Sequence, residues 1–159
     1  MVIALLFRSR LADMTDLSSL LTDNKRDAVV ADLAALADAA VGRQSGISGT
    51  AIKAAVAAAK KIDADIVAKG VNRMLPDVLG DLQPHWQTFQ EDAEQDFGTF
   101  LAGRNDAVVD SLMAVADRNA ESITVAPLAK AYNSLRGKGA KVIGPEIPEF
   151  GRILQKHMS

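Results

Sequence analysis

Apolar residues along this chain recur at intervals of three and four, and that spacing selects the α-helix over the strand. Val29, Leu33, Leu36 and Ala40 form one such stripe, and Val67, Val71, Met74, Val78 and Leu82 another. Trp86, Phe89, Ala93, Phe97 and Phe100 continue the pattern, as do Val108, Leu112 and Val115. No stretch sustains the alternation of a half-buried strand. Between Ala54 and Ala59 only Val56 interrupts alanine, which favours helix because it loses no side-chain entropy. The reading is all-α: a single compact, bundle-like domain of about seven helices, closely packed around a thin core.

Caps and stops set the expected boundaries. Asn24 is placed to cap a helix running to Val41, with Gly42 as a left-handed stop. Residues 45–49 read as a loop, after which Ser48 caps a helix to about Ile62 and Asp63 opens the next. Pro76 predicts a kink or break, and Pro84 the start of a new helix. Gly98 reads as an interruption and Gly103 as a stop. Asn105 caps the following helix, and Ser122 or Thr124 begins another that Gly137 and Gly139 end. Lys141-Val142-Ile143 is too short to classify, while a last helix from Pro145 to about Lys156 gathers Ile147, Phe150, Ile153 and Leu154. The short connections predict antiparallel or crossed neighbours.

A length of 159 residues suits one domain. Residues 1–13 carry an apolar run that ends at Arg8 and Arg10, too short for a membrane span and with its charge on the wrong side for a signal peptide. Met14 reads as the natural start, so residues 14–159 are expected to be the helical domain and 1–13 an upstream-start or disordered leader. With no cysteine the chain has no disulfide or thiolate chemistry, and a cytoplasmic location is expected. The formal net charge of −2 gives no global attraction to nucleic acid or to an acidic membrane, and neither is expected as a partner. That total conceals segregation. Residues 43–73 and 128–159 each hold six basic and two acidic groups, whereas 74–127 hold two basic and ten acidic. Mixed solvated surfaces explain this, and so does an acidic face that meets a basic partner or another copy.

Few residues suggest chemistry. Ser48, Gly49, Thr50 and Lys53 form a candidate anion loop, since glycines and hydroxyls precede a helix start. The segment follows a helix and lacks the Gly-Lys-Ser/Thr ending of a P-loop, so it also reads as a plain helix junction. Asp77 with Asp81, and Asp92 with Asp96, have helical spacing but no Glu-x-x-His companion, which favours solvated acids over a metal site. His85 and His157 are the only imidazoles, the second in a tail expected to fray. Trp86, Phe89, Phe97 and Phe100 are either the central core or the wall of an apolar pocket. Lys130, Tyr132, Arg136, Lys138 and Lys141 make a modest basic cluster beside a tyrosine on the apolar face.

The stretches Ser45 to Lys53, Arg73-Met74-Leu75-Pro76, Leu82 to Trp86 and Ala131 to Lys138 resemble an uncharacterised family of small actinobacterial proteins. The resemblance runs from Met14 onward and fits less well over Gly144 to Phe150. It implies a helical cytoplasmic protein and lends no catalytic residues. The leading functional expectation is therefore a non-enzymatic protein acting through a protein partner or as a homodimer, with no cofactor or metal. The alternative is a carrier or sensor of a small apolar ligand held near the aromatic stripe. An enzyme using His85 with an acid ranks below both.

Overall fold

The computed structural model describes residues 16–91 and 96–158. Among them are seven α-helices and two short 3-10 turns, with no strand. A 3-10 turn at Leu17–Leu21 leads into α1 (Asp23–Gly42), followed by α2 (Gly46–Ile62) and α3 (Ile66–Glu91). The six-residue α4 (Phe97–Ala102), α5 (Asn105–Ala120) and α6 (Ala126–Ile143) come next. A second 3-10 turn, Gly144–Glu146, joins α6 to α7 (Ile147–Met158). The leader assigned to residues 1–13, Asp92 and Ala93 lie outside the described residues.

Helix α3 is the spine. Leu75, Val78, Leu79, Leu82, Trp86 and Phe89 form its buried face. Leu17 and Leu20 of the first turn, Val29 and Leu33 of α1, and Val108, Val109 and Val115 of α5 pack into the same core. Phe97, Phe100 and Leu101 of α4 and Ile147, Phe150 and Leu154 of α7 complete it. Helix α2 packs mainly on α6, outside this core; its Ile52 is buried, but α6 buries no side chain fully.

Several expected boundaries move, each for a local reason. Helix α3 runs unbroken through Pro76 and Pro84, so neither proline ends or starts a helix. Pro76 leaves the Asn72 carbonyl without its helical donor. Arg26 of α1 replaces that donor: its Nη2 donates to Asn72 O at 2.8 Å and its Nε to Asn72 Oδ1 at 2.6 Å. Gly42 stays helical, and the left-handed residue is Gly46, at φ +74°. The cap positions fall at Thr22, Ser45 and Val125 rather than at Asn24, Ser48, Ser122 or Thr124. Asp63 closes α2 and accepts hydrogen bonds from the Asp65 amide and Lys69 Nζ before α3 begins. Asn105 lies inside α5 and uses its side chain to donate to Gly144 O at 2.8 Å.

Gly137 and Gly139 do not stop α6, which absorbs Lys141-Val142-Ile143 as its last turn. A Cβ on Gly139 would lie 2.9 Å from Met113 Sδ, so that glycine lets α6 approach α5. The last helix forms but starts at Ile147 rather than Pro145, which lies in the preceding 3-10 turn; Pro148 is in its first turn, where no helical donor is lost. His157 does not fray: its Nε2 lies 2.7 Å from Asp32 Oδ2, with Lys156 Nζ at 3.3 Å from the same oxygen. Hydrogen bonding to His157, then to Lys156, holds the Asp32 carboxyl below the usual carboxylate range.

The tightest crossing joins α4 to α7. Gly98 and Gly151 are both buried, and a Cβ on Gly151 would fall 2.6 Å from Gly98 Cα. A Cβ on Gly98 would fall 2.1 Å from the Pro148 carbonyl oxygen. Gly98 therefore sits inside a helix as a contact surface and does not interrupt it. Two polar bonds assist: Gln155 Oε1 accepts from the Phe97 amide at 2.9 Å, and Asp96 caps α4 through the Thr99 amide at 2.8 Å. Since the obstructing atoms are backbone, Gly98→Ala and Gly151→Ala should each lose about 2–3 kcal/mol in urea unfolding. Gly137→Ala, where a Cβ meets nothing within 4 Å, should gain about 0.5–1 kcal/mol as ordinary helix propensity.

Candidate functional site

Five helices leave a gap where they converge. Leu33, Leu36, Ala37, Ala40 and Val41 supply one wall from α1, and Val71, Met74, Leu75 and Val78 the facing wall from α3. Leu112 and Ala116 of α5 form the floor. Val142 and Ile143 at the end of α6, then Glu146, Ile147 and Phe150, close the remaining side. The cavity measures about 290 Å³, is partly open to solvent, and presents almost no polar surface. That volume lies at the small end of ligand pockets, which run about 300–1,000 Å³. The small side chains of Ala37, Ala40 and Ala116 create the space that larger residues would fill.

Glu146 is the one ionisable residue on this wall. Arg43, just beyond α1, holds it with a two-pronged ion pair through Nε and Nη2. Hydrogen bonding to Glu146 raises the Arg43 pKa above its ordinary value. A second cavity of about 190 Å³ adjoins, lined by Arg43, Gln44, Ser45, Ser48, Gly49, Ile52, Lys138, Lys141 and Val142. Val142 belongs to both linings. Of the candidate anion loop, Ser48 and Gly49 are on this wall. Thr50 instead donates its hydroxyl to Gly46 O at 3.0 Å, and Lys53 is exposed away from the cavity lining. Gly49 is buried against the incoming chain; a Cβ there would lie 2.6 Å from the Gln44 carbonyl carbon.

A family model matches residues 17–158. The chain belongs to DUF6918, a family of unknown function. No curated protein and no solved structure matches it. Family membership bears out the resemblance to an uncharacterised family and assigns no chemistry to either cavity.

The aromatic stripe is elsewhere. Trp86, Phe89, Phe97 and Phe100 do come together, but on one another, with Trp86 edge-on to Phe97 at 4.9 Å between ring centroids. All four are buried in the core cluster, and none lines either cavity. Apart from Glu146 and Phe150, the apolar space is lined by aliphatic side chains and Met74, which the sequence shows only as ordinary helix faces.

His85 meets an arginine rather than an acid. Its Nδ1 is 3.2 Å from Arg104 Nη1, and Arg104 lies over the Phe100 ring at 4.6 Å from the centroid. Burial, then the Arg104 charge, lowers the His85 pKa. A neutral imidazole accepting from a guanidinium lacks the orienting carboxylate of an acid–base pair. Asp81 pairs with Arg118 at 3.7 Å, and Asp96 with Arg152 at 3.5 Å. Among the described residues, no three His, Asp or Glu side chains group as metal ligands.

The basic cluster on α6 divides in two. Tyr132 and Arg136 turn to Asp117 of α5, the tyrosine hydroxyl donating to Asp117 Oδ1 and Arg136 Nε at 2.8 Å from the same atom. Lys138 and Lys141 face the smaller cavity. Burial and then the bond to Asp117 push the phenol of Tyr132 up to about 12. Tyr132 is the chain's single tyrosine, so alkaline difference absorbance reads it alone. The expected midpoint is about 12, and Asp117→Asn should lower it only in part, because burial, the larger cause, remains. The native pKa lies above the unfolded one. Its stabilising contribution is therefore complete below pH 10 and lost as pH rises through about 12.

Proposed function

We propose that this protein binds a small apolar molecule reversibly and without transforming it, as a carrier or sensor. The supporting observation is the aliphatic cavity of about 290 Å³ among α1, α3, α5, α6 and α7. An apolar wall open to water gains free energy when a ligand covers it, at about 25 cal/mol per Å² of apolar surface removed from water. Its one ionisable lining residue, Glu146, is already engaged by Arg43, which leaves no acid–base pair to act on a bound molecule. The proposed site is this cavity rather than the aromatic stripe. The reading also places the protein in an actinobacterial cytoplasm, as the sequence resemblance and the absence of cysteine suggest.

Neutral N-phenyl-1-naphthylamine, which brightens in apolar surroundings, tests the site. One molecule should bind per chain, and Ala116→Phe, which fills the floor, should weaken binding at least tenfold. No binding to the wild type, or equal binding to the filled variant, would refute the reading.

Self-association is the second reading, and the exposed side of the outer helices favours it. Ile47 at the start of α2 is 93% exposed, and Ile62 and Val125 at other helix ends are 47% and 44% exposed. Exposed aliphatics on an alanine-rich helix suit close approach of a second copy or another protein. Sedimentation equilibrium should then show a dimer whose dissociation constant rises at least tenfold in Ile47→Asp. A monomer at high protein concentration would dismiss this reading.

A further inference from the structure

The two cavities share Val142, yet their chemistry is opposite. One is aliphatic. The other carries Arg43, Lys138 and Lys141 on its wall, with Ser45 and Ser48. Arg43 is neutralised by Glu146, whose carboxylate would otherwise repel an anion at the boundary between the two spaces. Lys138 and Lys141 have no ion-pair or hydrogen-bond partner among the described residues. They sit one helical turn apart on α6, and both border the space beside Val142. Two uncompensated cations thus line the space that shares Val142 with the apolar cavity.

We infer that the ligand is an amphipathic anion: its aliphatic chain fills the larger cavity and its carboxylate or phosphate head lies between Lys138 and Lys141. This inference rests on the ligand-binding reading above. Arg43 and Glu146 then mark the junction, with Arg43 keeping the glutamate from opposing the head. The attraction is electrostatic at a partly exposed site, so it strengthens binding by about tenfold and weakens with added salt.

Displacement of N-phenyl-1-naphthylamine provides the test, using decanoate, decyl phosphate and decanol below their micelle-forming concentrations. Decanoate or decyl phosphate should displace the dye at about one-tenth the concentration that decanol needs. Whichever of the two is stronger identifies the head as carboxylate or phosphate. Replacing both Lys138→Gln and Lys141→Gln should abolish that advantage while leaving affinity for decanol and the neutral dye unchanged, which also shows that the variant folds. If decanol matches both anions while the dye still binds, the head-group assignment is wrong and the apolar site stands. The assignment is also wrong if the lysine variant keeps the preference. If the dye does not bind at all, the ligand-binding reading fails and this inference falls with it.

Discussion

The close crossing of Gly98 and Gly151 is the constraint on which the rest of the packing depends. Helix α4 has six residues, too few to be stable alone. It exists because its backbone lies directly on α7, at a distance that only paired glycines permit. That approach turns Phe97, Phe100 and Leu101 inward, where Phe97 meets Trp86 and Phe89. The same contact fixes α7, whose far end reaches Asp32 of α1 through His157. One small-residue crossing thereby orders both ends of the core.

Around that core the molecule is uneven. Helices α1, α3, α4, α5 and α7 share one continuous cluster, whereas α2 and α6 lie outside it. Helix α6 joins the core only through partly buried side chains such as Ile143 at its end. The cavity opens at this seam, where alanines of α1 and α5 face the turn between α6 and α7. Tyr132 and Arg136 fasten the middle of α6 to Asp117, and Asn105 fastens its end through Gly144. These polar contacts hold a helix that has no fully buried side chain of its own.

Much of the helical layout was legible because it depends on local spacing. The stripes of α1, α3 and α5 reach the core as their periodicity implies, and even the last helix tolerates Pro148 in its first turn. The breakers were misleading where a distant group compensates. Pro76 is accommodated because Arg26 serves the Asn72 carbonyl, an interaction 46 residues away in sequence. Gly98 and Gly139 resemble stops but serve helix contacts. The candidate site was less legible. Trp86, Phe89, Phe97 and Phe100 were recognisable as a group, and core is the favoured reading of them, but helical spacing alone is the same for a core face and a pocket wall. The cavity draws its lining from five helices far apart in the chain, and Ala37 or Ala116 carries no local mark of facing empty space.

The sequence by itself determined the class of the protein: all-α, one domain, no thiol chemistry, and helices whose apolar faces demand burial. Periodicity and composition suffice for that because the helix is a local structure. Only the tertiary structure decided which glycines touch, which prolines are compensated, and where space remains. Those outcomes depend on distances between helices far apart in the chain, and close packing sets such distances collectively. The contiguity of an aliphatic cavity with Lys138 and Lys141 belongs to this second kind, since it exists only after α6 has settled beside α1 and α2.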